Sequence, residues 1–198
     1  MVTDISALDL NKQYSYADYL TWKFEERVEL IKGRIFKMTP APARKHQKIS
    51  GKLFTRFSNF FYQHSCDVYS APFDVRFPSG EGNKQTYTVV QPDISRICDK
   101  SKLDDRGCVG APDLIVEILS PATSKKDAKD KFYLYEENGV KEYWMADPNT
   151  KLLDIFVLGD DKKYHFAGKF TEEDTVKVSI FPELEIDLKE VFEDDVEK

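Results

Sequence analysis

The chain is poor in several features that would place it quickly. It has three cysteines, Cys66, Cys98 and Cys108, an odd number with no Cys-x-x-Cys pair and no histidine-rich surroundings. This spacing points neither to a disulfide framework nor to a zinc site, so the expected setting is a reducing cytoplasm. No stretch approaches the roughly 20 apolar residues of a membrane span. The opening MVTDISALDLNKQ lacks the basic and apolar regions of a secretory leader, so neither export nor a membrane partner is expected. Positive charge is also in deficit: 29 Lys and Arg stand against 35 Asp and Glu, a net charge of -6. That excludes nucleic-acid binding through bulk positive charge and leaves only local basic patches for it.

What is present is enough for a core. The 198 residues are 41% hydrophobic and include 14 Phe and 10 Tyr, which fits a folded chain rather than a disordered one. With no internal repeat and no linker composition, one domain is expected over residues 1–198. Its core would span about 43–147, flanked by an N-terminal helix and hairpin at 15–39, C-terminal hairpins at 151–192 and an acidic tail at 193–198.

The local patterns support that outline. SYADYLTWKF (15–24) reads as a short helix with Ser15 as N-cap and Asp18 at capping-box spacing. RVELIKGRIFKM reads as two strands turning at Lys32-Gly33. After Pro40 and Pro42, residues 43–64 repeat apolar side chains at helical spacing, with Ile49, Leu53, Phe57 and Phe60 on one face. A basic stripe of Arg44, Lys45, Lys48, Lys52 and Arg56 gathers on another. Three strand-like segments follow, at 67–77, 87–98 and 112–119. A second helix then starts at Thr123 or Ser124 and ends at Gly139, followed by the strand KEYWMAD. LLDIFVL, KYHFAGK and TVKVSI read as antiparallel hairpins turning at Gly159-Asp160 and around Glu172.

The chemistry centres on PDLIVEILSP (112–121), where Glu117 lies inside an apolar strand. A buried carboxylate must be neutralised, paired or bound to a cation. Asp113 shares its face, but four strand residues separate their Cα atoms by roughly 13 Å, too far to share a small ion. A better partner is Asp93 of the earlier Pro92-Asp93, on a strand able to lie alongside. Two oxygen ligands of this kind suit Mg²⁺ or Mn²⁺. On the following helix Asp127, Lys131 and Tyr135 recur at i, i+4 and i+8, so Lys131 can turn toward the carboxylates.

Taken together, Pro92-Asp93, Glu117, the SPAT that follows it, the helix with Asp127, Lys131 and Tyr135, and GVKEYWMADP resemble the Uma-type family of bacterial restriction endonuclease-like proteins. That family falls within the PD-(D/E)xK nuclease superfamily. VELIKGRIFKM and His46 extend the resemblance over about residues 15–190. It implies an α/β fold, a mixed sheet flanked by helices, built on a restriction-endonuclease-like core of helix, three strands, helix and strand with terminal hairpins added. It also implies Asp93 and Glu117 as ligands of Mg²⁺ or Mn²⁺, with a backbone carbonyl near Ile118 as a further ligand. The superfamily lysine expected two residues after the acid is replaced by Leu119, and Lys131 is the substitute the resemblance favours, ahead of Lys125 and Lys126. Glu29, His46, Asp127 and Tyr135 are expected as accessory residues, with Glu29 able to complete the metal site. The expected activity is metal-dependent hydrolysis of phosphodiester bonds, in DNA before RNA, with phosphate contacts sought along Arg44 to Arg56 and at Lys125, Lys126 and Lys129. Enzymes that cut both strands commonly pair, so a homodimer is one expectation. The competing expectation is an inactive nuclease fold serving as a binding or assembly module of a restriction or mobile-element system.

Overall fold

The computed structural model of the chain describes residues 2–38, 42–120 and 125–193, with residues 125–127 described along the backbone only. Pro40, the expected helix start at Thr123 or Ser124, the side chains of Lys125, Lys126 and Asp127, and residues 194–198 of the acidic tail lie outside the described residues.

The first helix, α1 (Tyr16–Tyr19), is a single turn. Its capping box is complete: the Ser15 hydroxyl accepts from the Asp18 N–H, and the Asp18 carboxylate accepts from the Ser15 N–H at 2.8 Å. The helix stops well before residue 24 because Trp22 is drawn into a bridge with Val2. Strands β1 (Val28–Ile31) and β2 (Arg34–Lys37) form the expected hairpin. Its turn holds Lys32 and Gly33 at φ of 51° and 79°, the left-handed pair that tight hairpins require. Helix α2 (Arg44–Phe61) buries His46, Ile49, Leu53, Phe57 and Phe61 in one stripe. Phe61 rather than Phe60 completes it, since Phe61 lies four residues beyond Phe57.

The next two segments each break into two strands. The first becomes β3 (Asp67–Ser70) and β4 (Asp74–Pro78), and the second β5 (Thr86–Val90) and β6 (Ile94–Ile97). The breaks fall at Ala71-Pro72 and Gln91-Pro92. Proline has no N–H to offer a ladder, so a strand that meets one ends or changes direction. Short strands β7 (Leu103–Asp104) and β8 (Gly107–Val109) precede β9 (Leu114–Ile118). Helix α3 (Lys125–Asn138) ends as expected at Gly139, whose φ of 82° lets the Val140 N–H reach back to the Tyr135 carbonyl. Then follow β10 (Glu142–Asp147), β11 (Leu152–Leu158), β12 (Tyr164–Phe170), β13 (Thr175–Val178), β14 (Phe181–Asp187) and α4 (Leu188–Phe192).

These strands build two six-stranded mixed sheets and a hairpin. The first sheet runs β2-β1-β5-β4-β8-β7 and the second β12-β11-β10-β9-β6-β3. In the second, β9 and β10 are parallel and α3 makes the crossover, while β6 meets β9 antiparallel. Strands β11 and β12 pair as expected, but β13 pairs with β14 rather than with β12. Alternation sets the layers. Leu114, Val116 and Ile118 face α2 and the β13–β14 hairpin, whereas Ile115 and Tyr143 face Tyr135 of α3 together with Val75, Phe77 and Val90 of the first sheet. The hairpin is tied down by Glu142, fully buried, which accepts from Trp144 Nε1 at 2.8 Å and from the N–H groups of Ser179 and Ile180 at 3.1 and 3.2 Å. Among the described residues no helix is long and apolar enough to cross a membrane.

One expectation fails. Cys66 and Cys98 form a disulfide, with Cα atoms 3.9 Å apart, and Cys108 is left as a buried free thiol. The two cysteines are 32 residues apart in sequence. The β3–β6 register, Asp67 opposite Ile97, places them across from each other once the chain has visited the first sheet and returned. The cysteines therefore do not support a reducing setting.

Candidate active site

The seam between the two sheets gathers the charged residues that the apolar layers cannot absorb. Ile94 lies opposite Val116 in the β6–β9 ladder, and continuing that register by one residue sets Asp93 across from Glu117. Asp93 gets there because Pro92 turns the chain out of β5, and its carboxylate is fixed by the Ile118 N–H, which donates to Oδ2 at 2.7 Å. Glu117 projects to the α3 side of the sheet. Their side chains are only 18% and 13% exposed.

Helix α3 supplies the balancing charge. Lys131 Nζ donates to Glu117 Oε1 at 2.9 Å and to Glu29 Oε1 at 3.0 Å, and the Tyr135 hydroxyl donates to Glu117 Oε1 at 2.5 Å. Lys131 and Tyr135 can converge on one oxygen because they are one helical turn apart. Glu29, in the fully buried strand β1, also accepts from the Gln91 N–H at 2.8 Å. His46, from the first turn of α2, places Nε2 3.3 Å from Asp93 Oδ2.

Electrostatics follow from this arithmetic. Three carboxylates, Glu29, Asp93 and Glu117, face one lysine and one histidine. Burial pushes Glu117 up to about 7, against the pull of Lys131 and with the help of Asp93 and Glu29. Burial alone would lower Lys131, but Glu117 and Glu29 outweigh it and hold the ammonium firmly charged. Burial would likewise lower His46, but the hydrogen bond to Asp93, the charges of Asp93 and Glu117 and a contact with the Ile118 backbone together more than reverse it. The cluster holds more negative charge than its own cations neutralise.

The structure thus brings together Asp93, Glu117, Lys131, Tyr135, Glu29 and His46. Leu119 lines the same cleft, at the position where the superfamily lysine was expected. Asp113 stays out of the site: it pairs with Lys141 at 2.7 Å and accepts from the Cys98 N–H at 2.8 Å. The basic stripe is divided. Lys52 and Arg56 are engaged by the C-terminal helix region, Lys52 by the Glu190 carbonyl and by Glu193 at 3.4 Å, and Arg56 by the Glu190 carboxylate. Lys129 lies 5.9 Å from the Tyr133 ring. Sequence reasoning missed Gln91 and Arg27, which line the cleft and join there, Arg27 Nη2 donating to Gln91 Oε1 at 2.6 Å. The signal for Gln91 was its place beside Pro92-Asp93. Among the described residues no three His, Cys, Asp or Glu side chains are close enough to hold an ion unaided.

This arrangement of two mixed sheets recurs in a solved structure. The solved structure of a "putative nuclease belonging to DUF820" from Anabaena variabilis matches with a TM-score of 0.70, covering 90% of this chain and 97% of that one at 21% identity. The chain belongs to the Uma2 family, described as "Putative restriction endonuclease", whose model matches residues 16–189. An uncharacterised protein of a Synechocystis strain is 29% identical over 147 residues, 73% of this chain and 74% of its own length.

Proposed function

We propose that this protein is an endonuclease that hydrolyses phosphodiester bonds in DNA with the help of Mg²⁺ or Mn²⁺. The observation that carries the reading is Asp93 facing Glu117 across adjacent strands, with the Lys131 ammonium 2.9 Å from Glu117, in a chain of the Uma2 family.

The donor set fits a hard divalent cation. Two carboxylates set across one strand pair, in a cluster short of positive charge, match ions that keep several waters and take one or two acidic ligands. Asp93 and Glu117 would hold the ion, with the Ile118 carbonyl as the family resemblance implies. A cation bound there would polarise the phosphodiester and lower the pKa of a water. The rest belongs to the chain's own side chains. Lys131, held charged by two carboxylates, acts as a hydrogen-bond donor rather than a base, orienting the attacking water and stabilising negative charge on the phosphate oxygens. Tyr135 fixes the Glu117 carboxylate so that its orientation does not depend on substrate. Hydrolysis delivers the water oxygen to phosphorus, breaks one P–O bond and leaves the water's protons shared between the two products.

Calorimetry tests the ion directly. Mn²⁺ is expected to bind the wild type, and at least about tenfold more weakly to Glu117→Ala. Equal and negligible binding by both would favour an inactive nuclease fold kept for binding or assembly.

A further inference from the structure

Glu29 is the one carboxylate of the cluster that stands on the first sheet, and what it touches differs from what a metal ligand would touch. It is 5% exposed. A single oxygen, Oε1, accepts both from the Gln91 N–H at 2.8 Å and from Lys131 Nζ at 3.0 Å. Pro92 has no N–H, so the Gln91 N–H is the last main-chain donor before Asp93. One atom therefore ties together β1, the bend that delivers Asp93, and the helix that delivers Lys131. Lys131 is in turn stretched between Glu29 and Glu117. Without the charge on Glu29, the ammonium has Glu117 alone to settle on, and it would lie over the carboxylate that the proposed reaction needs.

We infer that Glu29 is a positioning residue, which holds the Lys131 ammonium away from full pairing with Glu117 and steadies the bend before Asp93, rather than a ligand of the metal. The inference rests on the nuclease reading. Glu29→Gln is a near-isosteric test, because the amide oxygen can still accept from Gln91 while the charge that draws Lys131 is gone.

The experiment compares full-length wild type, Glu29→Gln, Lys131→Met and the double variant, measuring Mn²⁺-dependent cleavage of a single-stranded DNA oligonucleotide and Mn²⁺ binding by calorimetry. Glu29→Gln is expected to lower kcat by about tenfold or more with KM within about twofold. On the Lys131→Met background the same change is expected to alter kcat and the Mn²⁺ Kd by no more than about twofold, since the group it positions is absent. A kcat for Glu29→Gln equal to that of the wild type overturns the inference. So does a loss of Mn²⁺ affinity of about tenfold in the double variant relative to Lys131→Met, which would make Glu29 a metal ligand. If the wild type cleaves nothing, the nuclease reading fails by itself. The inference is then decided by the crystal structure of Glu29→Gln, in which Lys131 Nζ is expected to leave residue 29 and pair with Glu117 alone, with an ammonium still shared between the two positions as the contrary result. Should Glu29→Gln not fold, Glu29→Asp, whose carboxylate is withdrawn by one methylene, takes its place in each comparison.

Discussion

Glu117 lies in β9 between Val116 and Ile118, which are 0% and 4% exposed. A carboxylate in that position survives because Lys131 and Tyr135 both donate to it, yet Asp93 and Glu29 crowd it with like charge. Its folded-state value of about 7 stands above the ordinary 4.5. The folded protein therefore holds this proton more tightly than the unfolded chain, and the stability it contributes is full below 4.5 and lost as pH rises through about 7. Metal-free wild type is expected to fall in Tm relative to Glu117→Gln as pH goes from about 5 to about 8. A difference that grows in the other direction would contradict the assignment. Much of this site was legible from residues alone: the rise along a strand excluded Asp113 although it shares the face of Glu117, and Pro92-Asp93 supplied the facing acid. Glu29 and Gln91 were less legible, because their roles come from contacts between sheets that no local pattern encodes.

Among the elements, α2, the C-terminus of α3 and the first hairpin follow their sequence signals closely, since caps, glycines and helical spacing act over a few residues, whereas α1 keeps its capping box but stops after one turn. Ser15, Asp18, Gly33 and Gly139 each do what their type and spacing suggest. The strands are harder. Two segments that read as single strands are each divided by a proline and shared between sheets, and the fold-level consequence of one Ala71-Pro72 step is invisible locally. The same visit to the first sheet hides the disulfide, since Cys66 and Cys98 become neighbours only when β3 and β6 pair. Under denaturing, non-reducing conditions, thiol titration is expected to find one free cysteine, Cys108; three would contradict the pairing. Closing a loop with 32 residues between its ends is worth about 3–4 kcal/mol in the chain-entropy model, so reduction is expected to lower unfolding stability by an amount of that order. The C-terminal hairpin depends similarly on one residue, Glu142, whose carboxylate satisfies three donors at once.

At the scale of the molecule, two sheets meet through an apolar layer that includes Val75, Phe77, Val90, Ile115 and Tyr143, and charged residues from both gather beside it. The second sheet brings Asp93 and Glu117, the first brings Glu29, and helices α2 and α3 bring His46 and Lys131. On α2, Lys52 and Arg56 are engaged by Glu190 and Glu193 of the C-terminal helix region. The central claim is that the facing pair Asp93 and Glu117 performs metal-dependent phosphodiester hydrolysis. It is tested most directly by incubating supercoiled and single-stranded DNA with purified wild type, Asp93→Ala and Glu117→Ala in Mg²⁺ or Mn²⁺. Cleavage by the wild type, abolished by EDTA and reduced by about 100-fold or more in both variants, is the predicted result. Folded wild type that leaves every DNA substrate intact, or variants that cut as fast as the wild type, would contradict it.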